Sequence, residues 1–347
     1  MIKKILFFLL ALSVCLPLLS SCQKQREITY YQYFDTVITL SAERESRKSF
    51  DAHVQSAETE IFYYHKLFDI YHEYSGMQNL ASLNRTAGSG TPLKIEPALF
   101  DFLSECVRLY MLTGGHTNVM MGAVTSLWNE ARENAAQGAA ALPSEEILSK
   151  ALAHTDIESL VLDAEQGTAY ITDPQASIDV GAFAKGYAAE RVAEHLSERG
   201  VKNGFVLNFG GNLRVIGGNG NDEPFTSGIL NPLPNSLDRY ALLLSLFDSS
   251  LVTSGSYFRY FEIEGERYHH LIDPATARPA STFVSVSVLG KDSGLCDALS
   301  TALFVMDLAE GEALMQTLEG YEAVWILPSG ALHYTDGVEG YIVENKK

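Results

Sequence analysis

The chain has 347 residues, 46% of them apolar and 20% charged, and 43 acidic side chains against 25 basic ones give it a formal charge of −18. A surface this acidic argues against nucleic acid or anionic lipid as a partner, and any phosphate ligand would need a local cation. Of four cysteines, Cys106 and Cys296 lie beyond the N-terminal segment and make no disulfide framework, at most a single bridge, and no Cys/His spacing reads as a zinc site.

Lys3 and Lys4 precede an almost wholly apolar run from Ile5 to Leu19, followed by Leu19-Ser20-Ser21-Cys22. That is a secretory signal, too short and wrongly flanked for a spanning helix. Leu-Ser-Ser-Cys resembles a bacterial lipobox, where the signal is cleaved before the cysteine and the cysteine then carries lipid. This implies a signal peptide at residues 1–21, lipid on Cys22, a tether over 22–28 and a folded domain over 29–345. It also implies a lipid-anchored protein on the extracytoplasmic face of the cell membrane, facing either the outside or a periplasm. Loss of residues 1–21 removes Lys3 and Lys4 and moves the charge from −18 to −20.

Next, the pattern predicts one strand over Thr29–Ser41. Phe50, Val54, Ala57, Ile61, Tyr64 and Phe68 recur at helical spacing. Tyr71 to Gly90 is polar and reads as an irregular loop. Pro97 opens a second helix, which Gly114-Gly115 ends. Val119–Asn129 reads as helix, Ala135–Ala141 as a surface insertion, and Pro143-Ser144-Glu145-Glu146 as a helix start with acids in its first turn. Strands are expected at Leu160–Asp163 and Ala169–Thr172, then a helix from about Ala184 that Gly200 closes. Beyond Gly200 the pattern is mostly β, with strands near Phe205–Phe209, Phe225–Leu230, Leu242–Phe247, Phe258–Ile263, Tyr268–Ile272 and Val284–Leu289. A helix over Leu295–Leu308 follows. Hairpin-like neighbours dominate the second half, so the fold class is α+β rather than a doubly wound parallel sheet.

Four stretches could carry chemistry. Ile178-Asp179-Val180-Gly181-Ala182-Phe183-Ala184-Lys185-Gly186-Tyr187 leads into a helix, and such a junction offers free N–H groups to an anion. Small residues there let a ligand approach the backbone, or they simply serve packing. Asp179 orients a ligand or fixes the Lys185 ammonium. Asp297 and Thr301, four apart, share one helix face and supply hard oxygens that suit Mg²⁺, or else serve the helix itself. His270, before the Asp273-Pro274 turn, can aim an imidazole into a cleft as a general base, or is half of a surface His pair. Thr253-Ser254-Gly255 offers hydroxyls to phosphate or ribose, or forms a plain turn.

In this order these stretches resemble the ApbE family, the FAD:protein FMN transferases. The resemblance runs from about Tyr33 to Gly340. It is carried by Phe34-Asp35-Thr36, by Gly114-Gly115 with Gly122 and Trp128, by the Asp179–Tyr187 stretch, by Asn208-Phe209-Gly210-Gly211-Asn212, by Thr253-Ser254-Gly255, by His270-Leu271-Ile272-Asp273-Pro274-Ala275-Thr276 and by Asp297-Ala298-Leu299-Ser300-Thr301.

The resemblance implies one catalytic domain of two α/β subdomains with FAD in the cleft between them. It implies Mg²⁺ at the pyrophosphate and transfer of FMN onto a Ser/Thr hydroxyl of a membrane or secreted flavoprotein, with release of AMP. An FAD pyrophosphatase and a non-catalytic flavin-binding lipoprotein are the alternatives. Carried over by position, the Ala182 carbonyl, Asp297 and Thr301 hold the metal. Phe34, Tyr71, His116, Thr117, Asn118, Asp179, Lys185, His270 and Leu271 line the FAD site, with His270 as base. The chain departs from the family pattern at Phe34, where many members have Met. It departs again at Asn118 and Met120, where an Asp and a Thr are usual, and at Ala277, where a Gly is usual.

Overall fold

The computed structural model describes residues 25–233 and 238–343. The signal segment and Cys22 lie outside the described residues. The chain opens with β1 (Arg26–Tyr30) and β2 (Ile38–Ala42), an antiparallel pair with Tyr30 opposite Ile38. The single strand expected over Thr29–Ser41 is therefore a hairpin, and β1 takes in three residues assigned to the tether. No glycine marks the reversal. Phe34 and Asp35 make it in the left-handed region, at φ 54° and 48°.

Helix α1 (Arg47–Leu67) follows, N-capped by Ser46, whose side chain accepts from the Ser49 N–H. The polar stretch expected to be irregular contains a short helix, α2 (Leu80–Arg85), capped by Asn79 and carrying buried Leu80 and Leu83. Six residues are too few to show a helical period. Next come β3 (Leu93–Lys94), α3 (Pro97–Leu112) with Pro at its start, and α4 (Gly122–Ala136). Helix α4 starts later and runs further than its pattern indicated; exposed coil carries the chain on to α5 (Glu145–Leu152). Strands β4 (Leu160–Asp163) and β5 (Thr168–Ile171) pair antiparallel and form a small sheet in the order β3-β5-β4.

Helix α6 (Ala184–Glu198) ends before Gly200, which sits at φ 98°. Strands β6 (Phe205–Phe209) and β7 (Asn212–Ile216) form a tight hairpin across Gly210 and Gly211, both at positive φ. The strand β7 is additional to those expected. The remaining strands are β8 (Phe225–Leu230), β9 (Tyr240–Leu246), β10 (Ser250–Gly255), β11 (Tyr260–Ile263), β12 (Glu266–His269), β13 (Ile272–Asp273), β14 (Arg278–Pro279) and β15 (Ser285–Gly290). Helices α7 (Ser293–Val305) and α8 (Leu308–Met315), then β16 (Glu322–Ile326) and β17 (Leu332–Tyr334), complete the set.

The main sheet has eight strands in the order β1-β2-β6-β7-β10-β15-β16-β17, and its pairs are antiparallel. This is the α+β architecture. Side chains alternate across it as the pleat requires. Phe205, Leu207 and Phe209 of β6 face α1 and α6, while Val206 faces the β8–β9 hairpin on the other side. Val286 and Val288 of β15 with Ala323 and Trp325 of β16 pack under α7. The smaller part shares the largest core through α2, α3 and the three-stranded sheet, where Leu83, Leu99, Phe102, Leu160 and Ile171 join Ile38, Leu40 and Phe205, while Val124, Trp128 and Leu148 of α4 and α5 form a second cluster with Ile272 and Ala277. Among the described residues no helix is long and apolar enough to cross a membrane.

Helices α6 and α7 approach closely at Gly186. A Cβ on Gly186 would overlap the Ser293 carbonyl oxygen and Asp297 Cβ. Beneath this contact Glu190 of α6 and Arg214 of β7, each about 5% exposed, form a buried ion pair at 3.0 Å. Glu190 also accepts the Ser293 N–H at 2.8 Å, which ties the start of α7 to α6 and the sheet. Burial pushes the Glu190 pKa up, against the pull of Arg214 and that N–H.

Candidate active site

The turn before α6 is held from both sides. Asn84 donates to the Ile178 carbonyl and accepts from the Ile178 N–H, and the Asp179 N–H bonds Val119 O. The Asp179 carboxylate accepts from Thr125 Oγ1 at 2.7 Å and from Gly181 N–H at 2.9 Å. It makes no ion pair with Lys185. The Lys185 ammonium instead donates to Gly181 O at 2.8 Å and stands 3.8 Å from Asp297 Oδ2. Asp179 thus fixes the turn, and Lys185 leans over it.

Asp297 lies on α7, almost fully buried, and its Oδ2 accepts the Gly186 N–H at 2.8 Å. Gly186 lies in the first turn of α6, where a backbone N–H has no acceptor within the helix, and the carboxylate supplies one. Burial raises the Asp297 pKa above its usual 3.8, while Lys185, the Gly186 N–H and the Asn212 amide pull it back. The Asn212 Nδ2 lies close to this carboxylate yet just outside good hydrogen-bond geometry.

One turn along α7, Thr301 Oγ1 is 3.3 Å from Ser254 Oγ of β10, and Ser254 also meets Ser300 Oγ at 2.9 Å. The Asp297/Thr301 spacing predicted from sequence therefore holds, and β10 adds a hydroxyl to it. Thr117 is buried and donates to the Ala298 carbonyl at 2.8 Å, so the loop after α3 is pinned to the same turn of α7. Among the described residues no three His, Cys, Asp or Glu side chains are grouped so as to hold a metal ion. A cation here would be held by one carboxylate with neutral oxygens, the donor set that suits a hard ion keeping its waters.

His270 reaches solvent. Its backbone N–H and its Nδ1 both point at the Arg259 carbonyl, at 3.2 and 3.3 Å. A carbonyl can only accept, so Nδ1 carries the proton and Nε2 keeps its lone pair. Crowding by the surrounding protein, with the cations Lys185 and Arg259 nearby, holds its pKa down to about 3, against the bond to the Arg259 carbonyl. The ring is neutral at physiological pH. The neighbouring His269 is buried and bonded to the Ala280 carbonyl and the Leu271 N–H, so it is a structural residue. Leu271 itself is buried in the core under α7, and its N–H and C=O are both bonded.

The Arg259 guanidinium reaches across to the β1–β2 reversal. It donates to the Asp35 carbonyl and pairs with the Asp35 carboxylate at 3.5 Å. Phe34, next along, packs against His65 and Phe209, and its N–H goes to His65 Nδ1. Tyr71 is 74% exposed. Crowding at its hydroxyl and the Asp179 charge raise its pKa, with Asp35 and Glu133 adding and Arg132 opposing.

Two predicted positions sit to one side. His116 bonds the Thr113 carbonyl through Nδ1 and faces Glu310 of α8 at 3.7 Å. Asn118 donates to Thr155 O at 2.8 Å and accepts from Met120 N–H at 2.9 Å. A carboxylate could not make the first of these bonds, so the amide at this departure from the family pattern is employed in joining two loops. Ala277, the other departure, holds the left-handed conformation at φ 56° that glycine takes more easily, and its carbonyl accepts from Trp128 Nε1. Arg259, Thr125, Asn84 and Asn212 were not singled out as site residues. Their partners lie far away in the chain, and only the Tyr257-Phe258-Arg259-Tyr260 run, one cation among exposed aromatics, was visible.

The fold and site define an α+β protein with a buried carboxylate and a hydroxyl on one helix beside the start of another, flanked by a lysine and a neutral histidine. The chain belongs to the ApbE family, whose sequence model matches residues 34–325. A relative from Treponema pallidum, named FAD:protein FMN transferase, is 33% identical over 273 residues, covering 75% of this chain and 73% of that protein. One of the same name from Haemophilus influenzae is 27% identical over 339 residues, covering 94% and 93%. The fold matches the crystal structure of the ApbE protein from Thermotoga maritima with a TM-score of 0.81 at 23% identity, over 92% of this chain and all of that one. It matches the flavin transferase ApbE from Vibrio cholerae with a TM-score of 0.74 at 24% identity, over 92% and 99%.

Proposed function

We propose that this chain is a Mg²⁺-dependent FAD:protein FMN transferase, lipid-anchored through Cys22 on the extracytoplasmic face of the membrane. The observation that carries the catalytic reading is the α6–α7 junction. The buried Asp297 carboxylate accepts the Gly186 N–H at the start of α6, with the Lys185 ammonium 3.8 Å away and burial raising its pKa. Asp297, Thr301 and the Ala182 carbonyl would hold the metal. Bound there, Mg²⁺ would offset the pyrophosphate charge and polarise the phosphorus–oxygen bonds.

The chain's own groups do the rest. Lys185 supplies the second positive charge in an acidic protein. His270 Nε2 accepts the proton of a Ser or Thr hydroxyl on the acceptor flavoprotein. That oxygen bonds to the phosphorus on the FMN side of the pyrophosphate, the bond to the AMP phosphate breaks, and AMP leaves. Phe34 and Tyr71 supply aromatic surface for the flavin.

Purified protein incubated with FAD and Mg²⁺, with and without EDTA, tests this. AMP and FMN are followed by chromatography, and an acceptor domain bearing a flavinylated-type Thr is followed by intact mass. Metal-dependent AMP with an FMN-sized mass gain supports the transferase. AMP with free FMN and no labelling supports a pyrophosphatase. Intact FAD in all arms overturns the catalytic reading. A diacylglyceryl-sized mass on Cys22, lost in Cys22→Ala, tests the anchor.

A further inference from the structure

We infer that Asp69 is a positioning residue for the flavin site, acting through Tyr71. The inference rests on the reading above, in which Tyr71 offers its ring to the flavin.

An aromatic that is 74% exposed on a loop ordinarily ranges over several conformations. The loop that carries Tyr71 is not free to do so. The Asp69 side chain is only 6% exposed, and every bond it makes goes forward into the next five residues. Its Oδ1 accepts the N–H groups of Tyr71 at 2.7 Å and His72 at 3.0 Å. Its Oδ2 accepts the Tyr74 hydroxyl at 2.8 Å and meets His72 Nδ1 at 3.1 Å. Burial works against this carboxylate, yet the four donors hold its pKa below the usual value.

The far end of the loop is tied down as firmly. Asn79 is fully buried, and its Nδ2 donates back to Lys66 O and to His72 O, at 2.9 and 2.7 Å. The Ala81 N–H closes on the Asp69 carbonyl at 2.9 Å. The backbone between α1 and α2 is thus fixed from inside by two buried polar side chains. The large side chains this loop turns outward are Tyr71 and His72, and of the two only Tyr71 is free of bonds to Asp69 through its ring. Restraining the backbone of an exposed ring before the ligand arrives removes an ordering cost from binding.

A merely structural Asp69 would lower thermal stability and leave the contribution of the Tyr71 ring intact. A positioning Asp69 makes the two residues non-additive. The test is a double-mutant cycle with FAD as probe, in EDTA so that nothing turns over, read by quenching of flavin fluorescence. Tyr71→Ala is expected to weaken FAD binding about tenfold and to reduce the quench of the bound flavin. Asp69→Asn, which keeps the shape but replaces an acceptor oxygen with a donor, is expected to weaken binding about threefold to tenfold with a similar loss of quench. The double variant should bind no more weakly than Tyr71→Ala alone. Tyr74→Phe, which removes one bond and leaves Asp69 in place, should act in the same direction more mildly and covers the case in which Asp69→Asn does not fold. Additive losses, or wild-type affinity and quench in both Asp69→Asn and Tyr74→Phe, overturn the inference. A wild-type protein that binds FAD neither in EDTA nor with Mg²⁺ overturns the functional reading instead.

Discussion

The N–H of Gly186, in the first turn of α6, donates to the Asp297 carboxylate of α7 at 2.8 Å. One bond thereby joins α6 to α7 and orients the acid. It is possible only because residue 186 has no side chain, since a Cβ there would run into Ser293 and Asp297. The site and the packing of the two helices depend on the same atom.

Gly186→Ala follows directly. The added methyl must push α7 away from α6 or shift the Asp297 backbone, and overpacking of this kind costs about 1–3 kcal/mol. Urea unfolding should show that loss. Mg²⁺-dependent AMP release should fall further than stability does, because the Asp297–Gly186 bond lengthens. A variant with wild-type activity would show that the close approach is not required.

Asp297→Asn should separate the metal from the fold. The folded-state pKa of Asp297 lies above its usual 3.8, so the native state holds this proton more tightly than the unfolded chain. Its contribution to stability is fully present below the unfolded value and is lost as pH rises through the folded one. At neutral pH the metal-free Asn variant should therefore melt no lower than the parent. Mg²⁺ should raise the melting temperature of the parent, more so at higher pH, and leave the variant unmoved. Mg²⁺ stabilisation of both proteins alike would place the metal elsewhere.

Arg214→Leu strands the Glu190 carboxylate in the core. Removing one partner of a buried pair costs about 3–5 kcal/mol. The double change Glu190→Leu with Arg214→Leu should recover part of that loss, measured by denaturant unfolding. A single variant within about 0.5 kcal/mol of the parent would mean that the pair contributes no more than a surface contact.

His270 bears on both rate and pH. Its folded pKa is depressed to about 3 by its surroundings and the cations Lys185 and Arg259. Stability from this group is present above the unfolded value of 6.5 and declines as pH falls below it. The base form persists in the folded protein, so kcat/KM should show no limb from His270 between about pH 5 and 8. His270→Ala should lower turnover by about 10²–10⁴-fold. Arg259→Met should raise the pKa of His270, visible in its imidazole NMR titration, and loosen the Asp35 turn.

Among these features, the long amphipathic stretches were legible in the sequence because their signal is local. The apolar period of α1, Pro97 opening α3, Gly200 closing α6 and the i,i+4 pair Asp297/Thr301 each depend on neighbours within a turn or two. The β1–β2 reversal was missed because Phe34 and Asp35, not glycine, carry it. The helix α2 was missed because six residues hide a period. The hairpin of β6 and β7 was taken for one strand end, although Gly210-Gly211 marked it.

The sequence by itself determined the α+β class, the family and the segments that gather at the site. It could do so because composition, periodicity and motif order are properties of the chain. Only the tertiary structure decided how the charges are spent. Lys185 turns to Gly181 and Asp297 rather than to Asp179, Asn118 joins two loops, and Arg259 fixes the tautomer of His270 and the turn at Asp35. These partners lie up to 224 residues apart, and a hydrogen bond specifies a distance and an angle that no local pattern encodes.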